Sequence, residues 1–234
     1  NQGKWKPIPI ELQLGPDPLA GQAITRRSTL GTAETILDPR APMTLDELSG
    51  VTVRLSNDQQ YLINADADAL MAGANLAAIG DELIQFGRAE RLAPGLFRLS
   101  RLLRGRRATE WAAFTHHVGD RFCLFDAAAL GAIDLPPGAV GAALTAVSHG
   151  IGDAAPLPEA GRQISGEAVS PPSVCHLRTW RDADQLHLNW VRRSHRGWAW
   201  IDGVGVPHDS FAERYRLTVI GAAGQLITET ETPS

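Results

Sequence analysis

Cysteine is almost absent from this chain. Cys123 and Cys175 are the only two in 234 residues, and a single pair supplies no disulfide framework. Both are read as buried free thiols, with one bridge between them as the alternative. Aromatic residues are scarce, with two tyrosines, whereas there are 23 glycines and 15 prolines. That balance gives many turns between short elements and favours β-rich architecture. No apolar run approaches the length of a membrane span, and the N-terminus lacks the charged-then-apolar layout of a secretion signal. The net charge of −4 excludes a surface that follows a phosphate backbone throughout, although a local basic patch survives that objection.

Catalytic signatures are missing as well. There is no nucleophile elbow, phosphate-cradling glycine loop, zincin helix or paired-carboxylate arrangement. Ser148, His149 and Asp153 lie close together in the sequence, but a triad is assembled through the fold and adjacency carries no weight. Asn64, Asp66 and Asp68 have the spacing of the first ligands of a calcium loop, yet Ala69 stands where the turn glycine is required and Asn75 where a bidentate glutamate belongs. The plainer reading is a solvated loop with a helix N-cap at Asp66 or Asp68. His116, His117, Asp120 and Cys123 include the residue types of a zinc site. Neighbouring strand positions point to opposite faces, however, and Cys123 sits in an apolar run. The expectation is no enzyme, no cofactor and no metal.

What is present reads as strands. Trp5 to Leu14 alternates after its prolines and predicts an edge strand or extended arm; Leu19 to Pro42 predicts loops and short strands. Val51 to Leu55 is a strand, Asn57-Asp58 its turn, and Tyr61 to Ile63 a return strand. Ala65 to Leu76 holds one short helix. Leu83 to Phe86 and Leu96 to Leu99 flank a turn at Ala93-Pro94-Gly95, which is hairpin grammar. Arg121 to Asp126 predicts a strand covered on both faces, and Ala139 to Ser148 another. Gly150 to Pro172 reads as a linker. Beyond it, Val174 to Trp180, a turn at Asp182 to Asp184, Leu186 to Val191 and Tyr215 to Val219 predict further strands. The expected fold is all-β: a β-rich barrel or sandwich over residues 1–165 and a partial sandwich over 166–234.

The order of elements carries a resemblance. Gly73-Ala74-Asn75, the strand Gly80-Asp81-Glu82-Leu83-Ile84-Gln85-Phe86, the loop Leu102-Leu103-Arg104-Gly105-Arg106-Arg107 ending in Thr109-Glu110, then Trp190-Val191-Arg192-Arg193 and Gly197 to Asp202 resemble the C-terminal region of tail-tip (baseplate) hub proteins of siphophages and gene transfer agents. The resemblance covers roughly Val51 to Val219. Ala108 stands where that family leads one to expect glycine, and Gly205 to His208 replaces a more acidic segment. The second unit is similar to the start of a fibronectin type III sandwich. Such a domain needs about seven strands in roughly a hundred residues. Only about 65 residues remain from Ser170 to the end, so the expectation is that the chain is a piece of something longer or pairs its edges with a neighbour.

The resemblance implies a virion structural part of the tail tip, assembled in the bacterial cytoplasm as a trimer around the tail axis. Its partners would be copies of itself and other tail-tip proteins, with DNA as passing cargo. The arginine-rich loop becomes a structural clamp. Arg104, Arg106, Arg107, Arg192 and Arg193 are the predicted protein–protein contacts, by intersubunit or intrachain pairing. The rival reading is a carbohydrate-binding module for a host-surface glycan, with Trp198 and Trp200 as platform and Asp202 beside them; the same indoles beside arginines would equally make a cation–π lattice.

Overall fold

Strict alternation of apolar and polar side chains makes strands with one covered face, and here it builds the wall of a closed barrel. The computed structural model describes residues 6–40, 45–136, 138–150, 152–194, 206 and 213–233. In chain order, β1 (Ile8–Leu14) and β2 (Asp17–Ile24) form a hairpin. Six strands follow: β3 (Thr29–Ala33), β4 (Leu45–Leu55), β5 (Leu76–Ile79), β6 (Glu82–Ala93), β7 (Leu96–Leu103) and β8 (Arg121–Leu124). They close antiparallel in the order β3-β4-β7-β6-β5-β8, with β8 pairing back onto β3. Next, β9 (Ala143–Ser148) and β10 (Glu159–Gln163) join the first hairpin in a sheet of order β10-β9-β1-β2.

The barrel interior is apolar. Val51, Val53, Ile79, Ile84, Phe86, Phe97, Leu99 and Phe122 form one buried cluster, with Val53 opposite Phe97 and Val51 opposite Leu99 across the β4–β7 pair. Gly31 is required where β3 crosses β4, because a Cβ there would collide with the carbonyl oxygen of Arg54. A five-residue helix, α1 (Ala67–Met71), is capped by Asp66, whose carboxylate accepts from the Ala69 N–H at 2.8 Å. Gln85 on β6 donates to the Leu70 and Ala74 carbonyls at 2.8 and 2.7 Å, sewing the helix to the wall.

The chain divides into two compact units, Asn1–Ser170 and Pro171–Ser234. Among its described residues the second holds two hairpins: β11 (Cys175–Asp182) with β12 (Gln185–Val191), and β13 (Arg214–Ile220) with β14 (Leu226–Pro233). Trp190 meets Tyr215 edge-on, with ring centroids 5.2 Å apart, and Arg192 pairs with Glu213 at 2.8 Å.

The all-β expectation holds, and both strands of the Pro94 hairpin are found. Four details differ. The segment Tyr61 to Ile63 is not a strand, because β4 already has β3 and β7 on its two edges; Leu62 is instead buried against the core. The first strand is internal to its sheet rather than an edge, flanked by β2 and β9. Residues 150–172 are not only a linker, since β10 lies within them. Neither cysteine is in a disulfide, but each is half-buried rather than buried.

Candidate functional site: the collar around Arg104

At the end of β7 the side chain of Arg104 turns inward, and it is 1% exposed. Burying a guanidinium is costly unless charge and hydrogen bonds compensate it. Glu82, at the start of β6 and 0% exposed, does so: Nε donates to Oε1 at 2.9 Å and Nη2 to Oε2 at 2.7 Å. Such a two-pronged pair is the geometry for which a planar guanidinium is suited. The remaining donors reach the Asp38 carbonyl at 2.9 Å and the Ala113 carbonyl at 3.3 Å. One side chain therefore ties β6, β7, the loop after β3 and the short 3-10 turn at Glu110–Phe114.

Glu82 is shared further. The Gly105 N–H donates to its Oε1 at 2.6 Å, and His116 donates from Nε2 to its Oε2 at 2.6 Å. The His116 Nδ1 faces Asp120 at 3.1 Å, and Asp120 also accepts the His117 N–H at 3.0 Å. Burial alone would raise the Glu82 pKa, but the hydrogen bonds from His116, Arg104 and Gly105 and the positive charge of Arg104 outweigh it. They hold the carboxyl below its ordinary value. Asp46 stands 4.0 Å from Arg104, and burial acts on it in the same direction. The donors of Ser49 and Leu48, with Arg104, lower its pKa overall. Its Oδ1 accepts both N–H groups at the bulge in β4, whereas its buried Oδ2 has no hydrogen-bond partner.

The loop that leaves β7 is equally fastened. The Arg106 Nε donates to Gln85 at 2.7 Å, and Thr109 accepts the Leu83 N–H at 2.9 Å while donating to the Arg106 carbonyl. Arg107 and Ala108 follow in the left-handed region with φ of 54° and 65°, which favours glycine. The glycine expected at position 108 therefore has a conformational reason.

A histidine between two carboxylates invites a catalytic reading. Here Arg104 and Gly105 take up the remaining capacity of Glu82, and the His116 side chain is 3% exposed, which keeps the imidazole out of reach of a substrate. An open recess of about 570 Å³, lined by Arg27, Arg54, Ser56, Asn57, Asp58 and Pro94 among others, contains no histidine. Among the described residues no cluster of His, Cys, Asp and Glu has metal-binding geometry. Among the same residues no helix is long and apolar enough to cross a membrane.

The predicted contact arginines thus part company. Arg104 is corrected from a surface contact to a buried intrachain brace, because Glu82 on the neighbouring strand lies within its reach. Arg106 is partly buried on Gln85, whereas Arg107 is exposed. Arg192 binds Glu213 and the Val206 carbonyl, and Arg193 donates to the Ser173 carbonyl at 3.3 Å. Trp198, Trp200 and Asp202 lie outside the described residues. The collar roles of Glu82, His116 and Asp120 were not read from the sequence, although the inward register of Glu82 with Ile84 and Phe86 was a usable signal.

Fold and site define a class: a small closed β-barrel whose ionisable chemistry is turned inward to brace one end. Residues 28–123 match the family model described as Rcc01698-like, C-terminal. That segment runs from just before β3 into β8, so the match coincides with the barrel and covers about two-fifths of the chain. No curated protein matches the chain.

Proposed function

We propose that the chain is a structural part of the tail tip, or baseplate hub, of a phage or gene transfer agent, where it closes the tail tube and supports host attachment and DNA delivery. The observation that carries the reading is the coincidence of the barrel with the Rcc01698-like match, a family associated with gene transfer agent and phage-like proteins. Two physical features support it. The barrel has no open edge and a braced collar, which suits a part that bears load. Outside it, β2 and β10 are the outer strands of their sheet among the described residues, available for strand pairing with another chain.

Large apolar side chains also stand exposed on the segments that carry the collar residues or adjoin them: Ile36, Leu48, Trp111, Phe114 and Val118. Exposed apolar groups held together on a rigid frame mark a protein contact surface. A trimer around a tail axis would use them heterologously, each copy presenting this rim to a different face of the next, with Arg107 as the exposed cation at its margin. The test is assembly. Particles carrying Phe114→Asp or Arg107→Glu should form tails that lack the tip or fail to close; intact tails with both variants would overturn the reading.

A further inference from the structure

The outward face of the β11–β12 hairpin is unlike the other described parts of the second unit. Register places Arg178 opposite Asn189, Trp180 opposite His187 and Asp182 opposite Gln185. Directly opposed residues share a face, so these six side chains stand together. The indole of Trp180 lies parallel to the His187 imidazole, with centroids 5.0 Å apart and planes 7° from parallel. Because the two residues face each other across the strand pair, the stack runs across the hairpin. The other side of the indole then looks toward the edge of β11 that no described strand pairs, and Trp180 is 51% exposed.

On either side of the rings, about 7 Å along the strands, sit Arg178 with Asn189 and Asp182 with Gln185. None of these four side chains has a hydrogen bond or ion pair among the described residues. The opposite face of the same hairpin is spent differently, since Trp190 packs on Tyr215. A structural tryptophan would be expected on that inner face. This one is outside, fixed in orientation by a histidine and ringed by unspent polar groups.

We infer that this face binds a carbohydrate: a pyranose of gluco configuration, stacked through its C–H face on Trp180 and hydrogen-bonded by Arg178, Asp182, Gln185 and Asn189. The polar set decides between ligand classes. A nucleic acid strand would also stack on an indole, but it needs a groove of net positive charge. Here one arginine is balanced by one aspartate. Sugar hydroxyls both donate and accept, and the four side chains supply an obligate donor, an obligate acceptor and two amides that do either. Equatorial hydroxyls leave the pyranose C–H face flat, which suits an indole reached from the side. A face rather than a cleft buries little of the ligand, so affinity per site should be about millimolar. Several copies on one particle would raise it by avidity. The site is independent of the barrel's proposed role, so its failure and that of tail assembly are read in separate experiments.

The test is an NMR titration of the whole chain with cellotetraose and with chitotetraose, following the Trp180 indole N–H and the His187 ring. At least one sugar should shift both signals in a saturable way. Trp180→Ala should weaken binding at least tenfold, and Asp182→Ala and Asn189→Ala, which remove no side-chain hydrogen bond or ion pair among the described residues, severalfold each. Unchanged signals with both sugars would overturn the proposal. So would equal binding by Asp182→Ala and Asn189→Ala, or oligothymidylate binding at the same indole with steep salt dependence.

Discussion

Replacing Glu82 by glutamine keeps the volume of the side chain and removes one charge, which makes it the sharpest probe of the collar. In the native barrel the carboxylate accepts from Arg104, Gly105 and His116. An amide in its place points an N–H₂ at one of those donors and leaves the guanidinium of Arg104 buried with only the Asp46 carboxylate, 4.0 Å away, to offset its charge. Removing one partner of a buried ion pair costs about 3–5 kcal/mol. For a unit of this size each kilocalorie lowers the melting temperature by about 2–4 °C, so the fall should be roughly 10 °C. Calorimetry or urea titration of the whole chain reads this directly.

Acid titration supplies a second reading of the same group. The folded-state pKa of Glu82 is depressed, so its contribution is fully present above the unfolded carboxylate value. It is lost as the pH falls through the folded-state value. Glu82→Gln should therefore flatten the acid limb of the stability profile, with Asp46, whose pKa is also lowered, carrying what slope remains. Pairing Glu82→Leu with Arg104→Met should cost less than the sum of the two single changes, because neither charge is then stranded. A loss under about 1 kcal/mol for Glu82→Gln, with an unchanged acid limb, would refute the claim that this carboxylate holds the collar together.

Three further outcomes are expected. Ala108→Gly should stabilise the chain by up to about 1 kcal/mol, since it relieves a left-handed alanine at some cost in unfolded-state entropy; a melting temperature that falls would contradict this. Gly31→Ala should destabilise by about 1–3 kcal/mol or more, because the new methyl group meets the Arg54 carbonyl and the strand pair must shift; urea midpoints measure it. Phe114→Asp should leave the midpoint within about 0.5 kcal/mol of the parent while abolishing tip assembly in particles, a split that separates contact surface from core.

The barrel hairpin was legible because its two strands alternate cleanly and Pro94-Gly95 can only turn. What alternation does not encode is which edges meet. Tyr61 to Ile63 has strand composition, yet both edges of β4 are taken by segments further away in sequence, and no local pattern reports that competition. The same limit explains β1, whose prolines suggested an edge and whose neighbour β9 arrives more than a hundred residues later. For the site, Arg104 was singled out as a cation but its burial was not foreseen. An arginine run looks exposed until one strand register places Glu82 beneath a single member. Ala108 is the converse, a departure noticed in sequence whose cause is a backbone angle.

The sheet of order β10-β9-β1-β2 has a mechanical consequence. The barrel segment leaves β2 and returns before β9, while β1 and β9 are paired directly, Ile10 with Ser148 and Leu14 with Leu144. A pull applied at the Ile8 end and at the far side of β10 travels through three neighbouring strands and bypasses the barrel. Because the chain exits β10 at Gln163, opposite Ala143, tension enters and leaves at opposite ends of those strands. Their hydrogen bonds are strained in parallel instead of parting one by one, and the barrel stays unloaded for as long as that seam survives.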